Sequence, residues 1–145
     1  MILTEIIVIR HNETALDLPD LEIERAIIHA LECEEQSGEW VVSIVLTDDA
    51  EMQRMHRDFM NIDEPTDVMT FPSDFATDEE HGGDIVISVE RAAEQGSENG
   101  LTPEQEVTFL AVHGVLHLCG WDDHAEEDRA AMLERQRVII ASIKS

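Results

Sequence analysis

Between Thr102 and Leu118 the chain spells a helix with no polar side to turn toward water. Thr102-Pro103-Glu104-Gln105 is a start signal: a hydroxyl N-cap, proline at the first helical position, and Gln three residues after the cap. Val107, Phe109, Leu110, Ala111, Val112, Val115, Leu116 and Leu118 then fall on nearly every face. Such a helix must be buried all round, so the rest of the chain has to wrap it. Two histidines, His113 and His117, lie inside it. Four apart, they point the same way, one turn above the other. Buried imidazoles must be hydrogen-bonded or metal-bound, because unpaired buried polar groups are costly. Gly120 follows where the helix should stop, since glycine takes the left-handed conformation at little steric cost. A chain that reverses there can bring a third side chain back toward the pair.

The run His113-Gly-Val-Leu-His117-Leu-Cys-Gly120-Trp-Asp-Asp123-His124 therefore reads as a metal site built on one helix and the turn that ends it. Its spacing, His-x3-His-x2-Gly-x2-Asp, is that of zincin-type sites, with Asp123 in the third position. The plain alternative is two satisfied core histidines, and a His-x3-His pair alone is a weak signal. The cap, the buried setting, Gly120 and the acidic-histidine end together favour metal. Two His and one carboxylate leave a coordination position open, as a catalytic zinc requires. Zinc proteases of this type carry Glu directly after the first His as general base. Here that position is Gly114, which lowers the peptidase reading sharply. Cys119, between Leu118 and Gly120, reads as a packing residue, not a ligand.

The chain has 145 residues, which suits one domain spanning 1–145 with a real core. No apolar run reaches membrane-spanning length and no signal peptide opens the chain, so the cytoplasm is the default expectation. Cys33 and Cys119 are far apart in sequence and read as reduced, buried thiols. Net charge is −24, from 33 acidic and nine basic residues, with Lys144 the only lysine. A solvated acidic surface repels nucleic acid at long range and works against any broad basic groove. It leaves room for a small local site that handles phosphate through a metal and a few arginines.

Along the chain, Leu3 to Ile9 reads as a strand, Asp17 to Pro19 as a turn and Leu21 to Glu34 as an amphipathic helix. Trp40 to Leu46 is a near-continuously apolar strand, expected in the sheet interior. Thr47-Asp48-Asp49 offers caps for a helix to about Phe59, and Asn61 to Pro65 is a loop. Asp67 to Phe71 and Asp84 to Ser88 are two more strands, separated by the acidic, mobile-looking stretch Ser73 to Gly83. Ser88 caps a helix to about Gly96, and Ala125 to Ile143 forms a last amphipathic helix burying Met132, Leu133, Val138, Ile139 and Ile140. The order β-α-β-α-β-β-α-α-α implies an α/β (α+β) fold. Its expected sheet is four-stranded and mostly parallel, with about five helices. The third-to-fourth link holds no helix, which suits one antiparallel pair.

Four pieces of the chain resemble the YbeY family of bacterial rRNA maturation endoribonucleases. They are Ser43 to Asp49, Asp63-Glu-Pro65-Thr66-Asp67-Val68-Met-Thr70-Phe71-Pro72, Gly83 to Ser88, and His113-Gly114-x-Leu116-His117-Leu118-x-Gly120. The last matches the family signature without a gap. The resemblance covers about Trp40 to Glu134 and implies a zincin-like fold with a single zinc ion held by three side chains. It also implies a metal-dependent single-strand endoribonuclease of ribosomal RNA processing, acting chiefly in maturation of the small-subunit 3′ end, and of ribosome quality control. The implied partners are ribosomal RNA and ribosomal subunits or their proteins, with no membrane and no dinucleotide cofactor. His113 and His117 match the first two family ligands. The third is usually His after Gly-Tyr-Asp; here that register holds Asp123, with His124 one residue later. Asp123 keeps the Gly120 turn intact, and a one-residue slip would bring in His124. Whichever is not bound is the nearest candidate proton acceptor.

Thr66, Asp67 and Thr70 are candidate substrate contacts, although Thr66 and Asp67 also suit plain turn-capping roles. Trp121 reads mainly as packing the turn against the last helix, with base stacking the alternative. Many family members carry Arg just before the Pro-Thr-Asp motif, where this chain has Met60; Arg54 and Arg57 lie a turn earlier. Three functions stand: a zinc endoribonuclease, a zincin-like metallopeptidase, and a non-catalytic ribosome-associated factor with structural zinc. An open coordination position separates the first from the third.

Overall fold

The computed structural model describes residues 2–10, 18–61, 66–72 and 80–143. The expected turn at Asp17, residues 62–65 of the expected loop with the start of the Pro-Thr-Asp segment, and residues 73–79 of the acidic stretch lie outside them. The elements run β1 (Ile2–Arg10), α1 (Asp20–Cys33), β2 (Gly38–Thr47), α2 (Asp49–Met60), β3 (Val68–Pro72), β4 (Glu80–Ser88), α3 (Val89–Glu98), α4 (Pro103–Leu118) and α5 (Glu126–Ser142). The strands form one sheet in the order β1-β2-β4-β3. β1 pairs parallel to β2 and β2 parallel to β4, while β3 runs antiparallel to β4. This is the mixed α/β sheet expected from the element order.

The sheet has two unlike faces. Trp40, Val42, Ile44 and Leu46 of β2 and Ile85 and Ile87 of β4 point into the main core. They meet Ile23, Ile27 and Leu31 of α1, Val107, Val112 and Leu116 of α4, and Met132 and Ile139 of α5. Burying each such side chain contributes about 1.5–3 kcal/mol. The opposite face is covered in part by α2, where Met52 packs with Met69 and Val86. β2 therefore alternates buried and half-buried positions although its sequence is almost continuously apolar. It is interior in the sheet, but one of its faces is only partly roofed.

Two sequence expectations are corrected. β4 begins at Glu80, so residues 80–83 belong to a strand and not to the acidic stretch. They pair with Glu39 to Val42 of β2, and a Cβ at Gly82 would stand 1.8 Å from the Val41 carbonyl oxygen. Glycine there marks close strands instead of a loop. In α5, Val138 is exposed while Gln136 is buried, because this stripe of the helix faces the His113 side of α4 and not an apolar wall alone.

α4 lies closely against β4. A Cβ at Gly114 would come within 2.7 Å of Ile85 Cγ2. That contact explains the missing glutamate of the peptidase pattern: the position faces the sheet and has no room for a side chain.

Candidate metal centre

Thr102 opens α4 with a complete capping box, its hydroxyl accepting from Gln105 N at 3.1 Å and Gln105 Oε1 accepting from Thr102 N at 2.9 Å. The other end closes with two reverse bonds. Gly120 N donates to His117 O at 3.0 Å and Trp121 N to Leu116 O at 3.0 Å, with Gly120 at φ +101°. This is the Schellman arrangement, and it turns the chain back over the last helical turn. Asp123 is thereby returned to the two histidines.

The result is a tight triangle of donor atoms. His113 Nε2 and His117 Nε2 are 3.0 Å apart, and Asp123 Oδ2 lies 3.5 Å from the first and 3.4 Å from the second. A tetrahedral zinc with bonds of about 2.0–2.1 Å separates its ligand atoms by about 3.3 Å, so the spacing fits three corners of that polyhedron. Among the described residues, His113, His117 and Asp123 form one group able to hold a metal ion; the other, Asp122-Asp123-His124, is mostly exposed.

Hydrogen bonds set which nitrogens face the triangle. His117 Nδ1 lies 3.0 Å from the Trp121 carbonyl, which can only accept, so this nitrogen carries hydrogen. His113 Nδ1 lies 2.8 Å from Gln136 Oε1. Gln136 Nε2 donates to Phe109 O at 3.4 Å, which turns the amide oxygen toward His113 and makes that Nδ1 a donor too. With each Nδ1 engaged this way, the two Nε2 atoms are left facing one point beside a carboxylate oxygen, where they can donate lone pairs to a cation. Three electron-rich atoms so close repel one another, and a divalent cation removes the conflict.

The surroundings brace these groups. Glu34, at the end of α1, accepts from Trp121 Nε1 and, at 2.7 Å, from Arg135 Nε, while Arg135 also donates to Cys33 O at 2.7 Å. One carboxylate thus ties down the turn that holds His117 and the α5 segment that holds His113. Trp121 packs against the main core. Burial first, and then the charge of Glu34, push the Cys119 thiol up to about 12. Cys119 is not among the donor atoms that converge with His113, His117 and Asp123.

A cleft of about 450 Å³ opens onto the triangle, and Thr66, Asp67 and Thr70 line it with His113, His117, Asp123 and His124. All seven residues singled out from the sequence therefore meet at one place. Asp67 lines the cleft and its Oδ1 also accepts from Val68 N at 2.8 Å, a local backbone bond of the kind the turn-capping alternative expects. His124 differs from Asp123. Its side chain is 92% exposed and 3.5 Å from Asp122 Oδ1, whereas Asp123 is 31% exposed and faces both histidines. Arg54 pairs with Glu51 and Asp58, and Arg57 with Asp58, on the α2 surface. Sequence reasoning passed over Gln136, Glu34 and His56, the last of which lines the cleft. A Gln inside the apolar stripe of the last helix was the one signal for Gln136.

Known proteins share this sequence pattern and this fold. The family model described as Endoribonuclease YbeY matches residues 8–144. Endoribonuclease YbeY of Carboxydothermus hydrogenoformans is 42% identical over 132 residues, covering 91% of this chain and 88% of the relative. That of Roseiflexus castenholzii is 36% identical over 133 residues, covering 83% and 81%. The solution structure of TM1509 from Thermotoga maritima superposes with a TM-score of 0.65 over 96% of this chain and 89% of the other, at 22% identity, and so shares the fold.

Proposed function

This chain belongs to the YbeY endoribonuclease family, and from that premise we propose a zinc-dependent endoribonuclease of ribosomal RNA processing. It is a nuclease, a hydrolase of phosphodiester bonds. Within that class we propose single-stranded RNA as substrate, maturation of the small-subunit 3′ end as the main task, and ribosome quality control as a second. One zinc ion, held by His113, His117 and Asp123, and a cytoplasmic location belong to the same proposal.

The observation that carries it is the donor triangle of two Nε2 atoms and Asp123 Oδ2 at the wall of an open cleft. Three protein ligands leave a fourth position free for chemistry. Zinc bound there would polarise a phosphoryl oxygen and acidify water near neutral pH. The protein's own groups do the rest. Gln136 and the Trp121 carbonyl keep both rings in the binding tautomer. Thr66 and Thr70 offer hydroxyls to phosphate oxygens or ribose, and Asp67 keeps one carboxylate oxygen for a ribose hydroxyl. In this reading His124, which lines the cleft beside Asp122, would accept a proton from the attacking water or return it. The peptidase reading lacks its base, since Gly114 is pressed on Ile85.

The test measures metal content and RNA cleavage together on wild type, His117→Ala, Asp123→Ala and His124→Ala. We expect one zinc per chain, lost in the first two variants with cleavage. His124→Ala should keep its zinc and cut more slowly. Stoichiometric zinc without any RNA cleavage, even with ribosomal subunits present, would leave a binding factor and sink the enzyme.

A further inference from the structure

The donor triangle opens on two cavities. A second one of about 330 Å³ adjoins the cleft, and Asp67, Val68, His113 and Asp123 line both. Its lining adds the amides of Gln95 and Asn99, the buried Glu106, and Arg129 from the first turns of α5. Arg129 stands apart from the other cations. Every other described arginine has a carboxylate within 4.0 Å. Among the described residues Arg129 has no ion pair and no side-chain hydrogen bond, although Glu126, Glu127 and Asp128 precede it on the same helix. In a chain of net charge −24, a guanidinium unpaired among the described residues, at the edge of a cavity beside the candidate metal centre, is a local attraction for an anion.

We propose that Arg129 and this second cavity form a subsite for a backbone phosphate of the single-stranded RNA, adjacent to the bond that is cut. The inference rests on the nuclease reading and extends it. The exposed guanidinium can reach a phosphate with two parallel N–H donors, and it gives up no existing ion pair to do so. The acids nearby do not defeat it. Asp123 is neutralised in part by any cation it binds, and Asp67 is engaged with its own strand through Val68 N. Burial, and then the charge of Asp67, raise the pKa of Glu106, which favours its neutral form and lessens repulsion of a phosphate. A strand lying through the cleft would then be held on both sides of the triangle.

The test follows the binding of a fluorescein-labelled single-stranded oligoribonucleotide by anisotropy across a salt series. Metal-free and zinc-loaded wild type, Arg129→Ala and Arg129→Lys are compared, with KM and kcat measured on the loaded forms. Arg129→Ala should weaken binding on the order of fivefold to tenfold, to a similar extent for different sequences. Its salt slope should fall by about 0.7, the value for one phosphate contact on a single strand. KM should rise while kcat stays within about twofold. Arg129→Lys should keep the salt slope. An alanine variant with wild-type affinity and slope, in a preparation whose wild type cuts RNA, overturns the subsite. A zinc-loaded wild type that cuts no RNA overturns the nuclease reading instead, and the salt slope still decides for or against Arg129.

Discussion

Gln136 is a neutral side chain far along the chain that reaches the candidate metal centre. An imidazole binds metal through Nε2 only while Nδ1 keeps its hydrogen, and that hydrogen needs an acceptor. Gln136 Oε1 supplies one for His113, and the Trp121 carbonyl supplies the other for His117. Gln136 is 1% exposed, so its burial is tolerable only because both ends of the amide are bonded. Gln136→Leu keeps the volume and removes the acceptor. Loss of such a partner typically weakens metal binding by about 10–100-fold, and we expect that range for zinc competed against a chromogenic chelator. An unchanged zinc Kd in a folded Gln136→Leu protein would show that the ring is oriented by something else.

α4 carries His113 and His117 and packs against the sheet and three other helices, so its own fit decides where the two imidazoles lie. The capping box fixes one end and the turn through Gly120 fixes the other. Between them Gly114 sets the depth of the helix against β4. Gly114→Ala puts a methyl into the space of Ile85, and overpacking of this kind costs about 1–3 kcal/mol. The gain in helix propensity of about 1 kcal/mol offsets part of it. We expect a lower urea midpoint for Gly114→Ala, partly recovered by adding Ile85→Val. If the alanine variant is as stable as wild type, helix and strand separate without cost, and Gly114 has no packing role. Glu34 works at the same level, joining the end of α1 to both the ligand turn and α5 through Trp121 and Arg135.

Taken whole, the molecule is strongly acidic, with 33 acidic and nine basic residues. Its field opposes the approach of RNA, and the cations that could counter it are mostly spent on neighbouring carboxylates. On the proposed function, this field favours a partner that helps to hold the substrate. We expect the isolated chain to cut single-stranded RNA weakly and ribosomal subunits to raise the rate on the same RNA. Equal rates with and without subunits, at matched ionic strength, would remove the need for a partner.

Patterns that repeat over a few residues are legible in the amino-acid sequence by itself. The element order, the antiparallel pair of β3 and β4, the capped apolar helix and the spacing of His113, His117, Gly120 and Asp123 all follow from local rules of periodicity, capping and turn chemistry. Everything else depends on contacts between distant segments, which only the tertiary structure decides. The strand order places β4 next to β2, and with it the pairing that extends β4 back to Glu80. The burial of Gln136, the reach of Glu34 to Trp121 and the isolation of Arg129 also arise only when α1, α4 and α5 are brought together. Hydrogen-bond partners about a hundred residues apart, such as Glu34 and Arg135, leave no spacing in a sequence, because nothing in the chain between them must repeat.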